Sequence, residues 1–552
     1  MSKDELVFLP LGGSGEIGMN LNLYGFGQPT NRKWIMIDCG VMFGDLSTPG
    51  IELICADPTF ILEEKDNLLG VILTHGHEDH IGAVGLLGPE LDCPVYATAF
   101  TAKLVEGKLE ERGVKLDLRI IDIGARFALG PFDLEFVTLT HSIPEPNGVI
   151  IRTPLGTLLH TGDWKIDPEP TLGPETDSAT LRAIGDAGVL AMICDSTNVF
   201  SKGESGSEMR VKESLTRIIA RQAGRVAVTT FASNVARVVS ICEAAYAADR
   251  SVCLLGRSML RIVGAAREVG LLPDGVKFVE PEQAGLLPRE YVLYLCTGSQ
   301  GEPRAALSRI AREDHRDLVL SEGDTVIFSS KIIPGNERDI FNLINDLVEL
   351  GVNVVTEKDE FTHVSGHPNR EELRKMYEWV RPTFSIPVHG EARHLEEHAD
   401  FAVKLGVKKA IAPRNGDLIR LAPGEPEIID EAPAGRWFLD GDMLMPDGSG
   451  PMRERRKLSF AGVVVVALAI DEHERMACVP SVSIIGGPKE APGIEDLGSV
   501  IAEEAENAVM SLSKSKRADD GAVELAVTRA VRNEMTAVWG KRPGVAVLIQ
   551  RV

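Results

Sequence analysis

Several familiar signatures are missing from this 552-residue sequence, and each absence removes a class of protein. The eight cysteines (Cys39, Cys55, Cys93, Cys194, Cys242, Cys253, Cys296, Cys478) contain no Cys-x-x-Cys pair, which argues against zinc ribbons and dithiol redox chemistry. They lie scattered, mostly in apolar strand-like runs, and read as small core residues. No apolar run is long enough to cross a bilayer, and the start Met-Ser-Lys-Asp-Glu-Leu-Val-Phe-Leu-Pro lacks the charged-then-apolar layout of a signal peptide. Together these lead to the expectation of a cytoplasmic protein with no membrane partner. No internal repeat occurs at solenoid periods. Positive charge is also scarce: a net charge of −23 argues against a global phosphate-binding field, because polyanions reward clustered Lys and Arg. Between Ser201 and Gly270 the balance reverses, with Lys202, Arg210, Lys212, Arg217, Arg221, Arg225, Arg237, Arg250, Arg257, Arg261 and Arg267 outnumbering the carboxylates. That stretch reads either as a solvated helical face or as a local basic groove.

What is present is the composition of an ordinary globular chain, 44% apolar and 25% charged, with 54 glycines suited to a turn-rich α/β fold. The length calls for two or three domains. The first 200 residues read as short strands separated by Gly-rich turns, and Asp38, His75, His141, Asp163 and Asp195 each stand at the carboxyl end of an apolar run, where α/β sheets present ligands. From Glu204 to about Leu350 strands and helices alternate as in a parallel α/β unit. Phe384-Ser385-Ile386-Pro387-Val388 then leads into His389, which joins the first domain only if the middle unit is inserted in it. A Pro, Gly and Asp-rich stretch reads as a linker, and a small α+β unit follows. The expected boundaries are a first domain over 1–203 and 369–425, an insert over 204–368, a linker over 426–458 and a C-terminal domain over 459–552.

The chemistry concentrates in Thr74-His75-Gly76-His77-Glu78-Asp79-His80, which directly follows the apolar run Val71-Ile72-Leu73. Imidazole and carboxylate ligands suit zinc, and Gly76 is expected to give the tight turn that lets the side chains converge on two ions. The alternative is a polar loop that happens to be His-rich, but core histidines do not cluster in this way. His141, Asp163 and His389 are further candidates. Each alone reads equally as a turn former or a hydrogen-bonded core group, and their joint arrangement is what argues for metal.

The pattern His75-x-His77-x-Asp79-His80, then His141, then Asp163, resembles the metallo-β-lactamase superfamily. The resemblance implies an αββα sandwich in which His75, His77 and His141 hold one zinc, Asp79 and His80 the other, and Asp163 bridges them. It makes Asp38 the aspartate that orients the metal loop from behind. Further downstream the chain resembles the β-CASP nucleases of that superfamily. Asp195 in Cys194-Asp195-Ser196, His367 in Ser365-Gly366-His367, and His389 occupy the positions of the subgroup's acidic residue and its two later histidines. Asp195 and His367 imply a carboxylate and imidazole pair able to protonate a leaving 3′ oxygen. His389, where DNA-acting members usually carry valine, implies RNA.

Nearly the whole chain is similar to the ribonuclease J family. Besides the metal motifs the similarity includes Leu11 to Asn20, Phe231-Ala232-Ser233-Asn234, Thr297 to Pro303, Ser329 to Glu337 and His363-Val364-Ser365-Gly366-His367. It implies a 5′-to-3′ exonuclease with endonuclease activity, acting in mRNA decay and rRNA maturation. It also implies two Zn²⁺ per subunit, with Mn²⁺ or Mg²⁺ as substitutes, and His389 among the ligands. Single-stranded RNA with a 5′ monophosphate would bind at Ala232, Ser233, Asn234 and at His363, Val364, Ser365, Gly366 and His367. A homodimer and an RNA-decay complex are further implications. The bland reading of Ser233 or Asn234 is a helix N-cap, and that of Arg453-Glu454-Arg455-Arg456-Lys457 is a solvated linker.

Two other functions use parts of the same pattern. A hydrolase of small esters, thioesters or lactams needs the zinc loop but has no use for Asp195, His367 or a domain-sized insert. A catalytically silent RNA-binding scaffold needs the insert but would tolerate a missing ligand, and no ligand is missing.

Overall fold

The computed structural model describes residues 4–448 and 450–552. The chain forms two compact units, one of residues 1–42 and 55–436, the other of 43–54 and 437–552.

Two large sheets dominate the first unit. One has eight strands in the order Glu427–Glu431, Asp417–Ala422, Glu5–Gly12, Leu21–Gly27, Lys33–Ile37, Leu68–Ile72, Val95–Ala97, Leu118–Ile120. The other has seven, in the order Arg126–Leu129, Phe132–Thr138, Asn147–Thr153, Gly156–His160, Ala191–Asp195, Phe384–Val388, Lys409–Ala410. Their inner faces share one core, with Leu6, Phe8, Tyr24, Ile35, Ile37 and Ile72 of the first against Phe132, Leu134, Phe136, Val149, Ile151, Leu158 and Ile193 of the second. Alternation along the strands sends the next residues outward. Leu159, Met192 and Cys194 pack on the helices Ser178–Ala187, Arg370–Val380 and Ala392–Lys404. Burial on both faces is why these strands read as continuous apolar runs.

The late strand Phe384–Val388 lies parallel to Ala191–Asp195, with Asp195 opposite Val388, so His389 is delivered beside Asp195. The chain between them builds its own parallel sheet, Ser251–Leu255, Val292–Cys296, Val226–Thr229, Thr325–Phe328, Asn353–Val355, with a separate core around Tyr294, Leu307 and Phe328. The architecture is the expected sandwich with a parallel α/β insert.

In the second unit Val463–Ile470 pairs antiparallel with Ser481–Ile485 and parallel with Gly544–Arg551. The helices Leu497–Met510 and Asp520–Trp539 contribute Leu497, Ile501, Val527 and Val531 to a core on one face of that sheet.

The linker expected over 426–458 is a correction. Glu427–Glu431 extends the eight-stranded sheet, Arg436–Asp440 pairs with Met443–Pro446, and Gly450–Ala461 is helical. Pro423 and Gly424 turn the chain between two short strands, Asp447 and Gly448 lie in the turn that follows the strand Met443–Pro446, and Phe438 and Leu439 are buried. The run Arg453 to Lys457 is accordingly helical, with Arg455 paired to Asp440 at 2.6 Å. Six of the cysteines are buried as expected, whereas Cys93 is partly buried and Cys478 exposed. No helix among the described residues is long and apolar enough to cross a membrane.

Candidate metal centre and acid pair

The strands Lys33–Ile37 and Leu68–Ile72 run parallel, as do Gly156–His160, Ala191–Asp195 and Phe384–Val388. Their carboxyl ends therefore open on one edge of the sandwich, and Asp38, His75, Asp163, Asp195 and His389 meet there. His77 precedes the four-residue helix Glu78–Ile81, which carries Asp79 and His80. Asp38 and His389 both adopt left-handed backbone, φ 64° and 53°, conformations that cost energy and concentrate at functional sites. Gly76 departs from expectation: its φ is not positive, and what it supplies is space, since a Cβ there would lie 2.7 Å from Leu104.

The donor atoms fall into three groups, each within 4.8 Å, that share Asp163: a first set of His75, His77, His141 and Asp163, a second of Asp79, His80, Asp163 and His389, and a third in which Asp163 and His389 meet Asp195 and His367. His77 Nδ1 is 3.1 Å from both His75 Nε2 and His141 Nε2. Zinc to nitrogen bonds of about 2.0–2.1 Å give a tetrahedral edge of roughly 3.3 Å, close to that spacing. Asp163 Oδ2 lies 3.2 Å from His80 Nε2, 3.4 Å from His389 Nε2, 3.8 Å from His141 Nε2 and 3.9 Å from His75 Nε2.

Electrostatics fit a cation. Burial, reinforced by neighbouring imidazoles, pushes His75 and His141 well below the usual histidine range, and burial pushes His77 down to about 4. These rings are neutral, with lone pairs free to ligate. Burial also opposes charge on His80, but Asp163, Asp79 and Asp38 outweigh it and raise that group well above its ordinary value. Such a concentration of carboxylates calls for positive charge. Asp163 Oδ1 is buried with no hydrogen-bond partner among the described residues, a lone pair that a metal would satisfy. The residues present fit a metal pair.

Each candidate ligand histidine is held by its other ring nitrogen, the arrangement that orients imidazole on a metal. His75 Nδ1 meets Thr74 Oγ1 at 3.0 Å, His77 Nε2 meets Ser233 Oγ at 3.2 Å, and His80 Nδ1 meets Asp38 Oδ2 at 2.7 Å. His141 Nδ1 meets the Gly366 carbonyl at 2.6 Å, and His389 Nδ1 meets Asn20 Oδ1 at 3.0 Å. Asp38 also accepts from the Thr74 backbone at 2.8 Å. Neither Thr74 nor Asn20 stands out in the sequence as a positioning group. No periodicity marks either: Asn20 reaches His389 across the fold, and Thr74, although next to His75, is tied to Asp38 on another strand.

Beside the metal sets, His367 Nδ1 is 2.8 Å from Asp195 Oδ2. Burial opposes protonation of His367, but the charge and hydrogen bond of Asp195, followed by Asp163 and Asp79, push it up to about 9, so at neutral pH the ring can donate a proton. Behind Asp195, Ser196 Oγ contacts His398 Nδ1 at 2.8 Å, and Tyr377 closes the chain at 2.9 Å from His398 Nε2. This buried network has no signature in the sequence either.

The expected phosphate-binding segments touch the same site, Ser233 at His77 and Gly366 at His141, with unequal freedom. Asn234 is committed as a helix N-cap, its Oδ1 accepting from Arg237 N at 2.9 Å, and the side chain of Val364 is buried. Ser365 Oγ accepts from Asn198 at 2.7 Å and from the His367 backbone at 3.2 Å. The basic stretch 201–270 supplies fewer free cations than its count suggests. Arg237 is wholly buried against Glu208, Arg250 is buried among backbone carbonyls, and Lys212, Arg221 and Arg261 pair with Glu243, Glu360 and Glu111.

Residues 26–192 match the family described as the metallo-beta-lactamase superfamily, and residues 351–413 the Zn-dependent metallo-hydrolase RNA specificity domain. Fold and site together define a metallohydrolase of the metallo-β-lactamase type. Residues 223–347 match the ribonuclease J beta-CASP domain and residues 450–552 the ribonuclease J C-terminal domain. The chain is 49% identical over 552 residues to ribonuclease J of Sinorhizobium meliloti, covering 100% of this chain and 98% of that one. It is 37% identical over 539 residues to ribonuclease J of Mycolicibacterium smegmatis (97% and 95% covered) and 37% over 481 residues to that of Thermus thermophilus (85% and 83%). Its fold is shared with the crystal structure of a protein of unknown function from Enterococcus faecalis V583, at 15% identity and a TM-score of 0.54, covering 75% of this chain and 100% of that one. The chain belongs to the ribonuclease J family: it is a metal-dependent ribonuclease with a β-CASP domain, and RNA is its substrate.

Proposed function

We propose that this ribonuclease degrades single-stranded RNA from a 5′ monophosphate in the 5′-to-3′ direction, with endonucleolytic cleavage as a second mode, in mRNA decay and rRNA maturation. The observation that carries the reading is the Asp195 and His367 pair, 2.8 Å apart beside two converging ligand sets. The alkoxide leaving group of a phosphodiester needs a proton, which His367 would supply, and the RNA specificity and β-CASP matches favour RNA as the ester that is cleaved.

In this reading two Zn²⁺ ions occupy the two sets, the first held by His75, His77, His141 and Asp163, the second by Asp79, His80, His389 and Asp163, with Mn²⁺ or Mg²⁺ as substitutes. Bound there, the pair would supply a nucleophile at neutral pH and neutralise phosphate charge. The chain's own residues do the rest. Asp38 fixes the His80 ring, and Asp195 keeps His367 protonated and aimed so that it donates to the departing 3′ oxygen. Ala232, Ser233 and the residues His363 to His367 hold the RNA backbone. The positive end of the helix Val235–Tyr246, which starts beside Ser233, favours phosphate there.

The catalytic domain takes in residues 1–203 and the chain from 369 through the strand Glu427–Glu431, with the insert over 204–368. A homodimer through the C-terminal unit and participation in an RNA-decay complex complete the proposal. Eight unpaired cysteines fit a reducing cytoplasm. Product analysis on a 5′-monophosphorylated RNA tests the activity: mononucleotides appearing from the first turnovers are expected, and internal fragments alone would refute the exonucleolytic mode.

A further inference from the structure

The ligand histidines are not all braced from the same part of the fold. His75, His80 and His389 take their second hydrogen bond from Thr74, Asp38 and Asn20, which lie within the sandwich. His77 and His141 instead take theirs from Ser233 Oγ and the Gly366 carbonyl, in the two segments assigned above to the RNA backbone. The approach at Gly366 is close: a Cβ on it would lie 2.8 Å from His141 Nδ1 and Cε1. Two of the three imidazoles of the first ligand set are therefore oriented by RNA-binding segments.

Proton accounting gives this arrangement a direction. With His77 Nδ1 turned to the other ligands, its proton resides on Nε2 and is donated to Ser233 Oγ. A hydroxyl that accepts one hydrogen bond retains its own O–H to give away. A phosphate oxygen taking that proton polarises the hydroxyl, strengthens the bond from Nε2, and makes Nδ1 a better ligand, as chained hydrogen bonds reinforce one another.

We propose that Ser233 is a positioning residue coupling RNA-phosphate binding to metal affinity at the His75, His77 and His141 set, so that RNA tightens that metal and the metal tightens RNA. The factor is the same in both directions, as linkage requires. This rests on the reading of Ser233 as a phosphate-binding residue.

The test uses the full chain loaded with Zn²⁺ and dialysed against a competing chelator. Metal content is measured by atomic spectrometry with and without a hydrolysis-resistant 5′-monophosphorylated oligoribonucleotide, whose saturation is checked by fluorescence polarisation. In the native protein RNA is expected to raise the chelator concentration needed to strip one ion. Ser233→Ala is expected to lose that ion at roughly tenfold lower chelator, with no further effect of saturating RNA, and Ser233→Thr to behave as the native protein. Unchanged retention in Ser233→Ala, or an RNA effect that survives in it, overturns the coupling while leaving the ribonuclease reading intact. Failure of the native protein to bind the oligoribonucleotide overturns the phosphate-binding assignment and the coupling together.

Discussion

His367 and Asp195, 172 residues apart in sequence, meet at 2.8 Å between ring Nδ1 and carboxylate Oδ2. The ring sits on the segment that leaves the insert, the carboxylate at the end of a sandwich strand, and the bond joins insert to sheet at the reacting edge. His77 and His141 are likewise held from the insert side, by Ser233 and the Gly366 carbonyl.

Removing the acid should slow the reaction without emptying the metal sites. His367→Ala is expected to lower kcat on a 5′-labelled RNA by about 10² to 10⁴, with metal content unchanged. Asp195→Asn keeps the shape but removes the charge that pushes His367 up to about 9. A proton donor works below its pKa and fails above it, so the alkaline limb of activity should move to lower pH in Asp195→Asn. An unmoved limb would separate that limb from His367.

His77→Ala deletes one donor of the first ligand set. Hydrolysis should vanish and one metal equivalent be lost, while RNA binding by polarisation persists, weakened by the factor by which RNA tightens that metal. Full activity in this variant would end the metal assignment.

Gly366→Ala places a methyl 2.8 Å from the His141 ring, under the normal contact distance. With Ser142 Oγ also only 2.7 Å away, the ring or the 366 segment must shift, and disturbing a bond that orients a ligand typically costs about 10- to 100-fold in metal affinity or activity. Chelator titration checks this, and Gly366→Ala should differ most from the native protein at low metal.

Acid stability should carry the mark of a buried pair. Arg237 Nε and Nη2 each lie 2.9 Å from the Glu208 carboxylate, and Nη1 reaches Ser329 and the Thr362 carbonyl. Burial opposes the charge on Glu208, but Arg237 and Lys165 overcome it and bring it down to about 2 from an ordinary value of 4.5. A depressed carboxyl contributes stability that is complete above its unfolded pKa and is lost as pH falls through the folded one. The difference corresponds to about 3 kcal/mol at neutral pH, lost between about pH 4.5 and 2. Glu208→Gln should therefore unfold at lower temperature at pH 7, with the gap closing as pH falls through that window. A gap independent of pH would assign the loss to packing.

Much of the site was legible because metal chemistry leaves dense local marks. Three histidines and a carboxylate crowded into His75 to His80, directly after an apolar strand, make little physical sense without a metal to hold. His141, Asp163 and His389 stood out as polar residues ending apolar runs. Asn20 and the Ser196, His398 and Tyr377 network left no such mark, since each acts through a partner distant in sequence, and a hydroxyl such as that of Thr74 is too common beside histidine to stand out. The 426–458 segment was misread because Pro and Gly punctuate short strands as readily as linkers. The count of basic residues in 201–270 overstated the free charge, because pairing depends on neighbours that sequence spacing does not reveal.

The amino-acid sequence alone determined the candidate ligand types, their attachment to strand ends and the alternation of the insert, all of which depend on local chemistry and periodicity. Tertiary structure decided which nitrogen of each imidazole faces the ligand set, which groups hold the opposite nitrogen, and which arginines are occupied. Those are matters of ångström-scale convergence between strands that run parallel in space after hundreds of intervening residues.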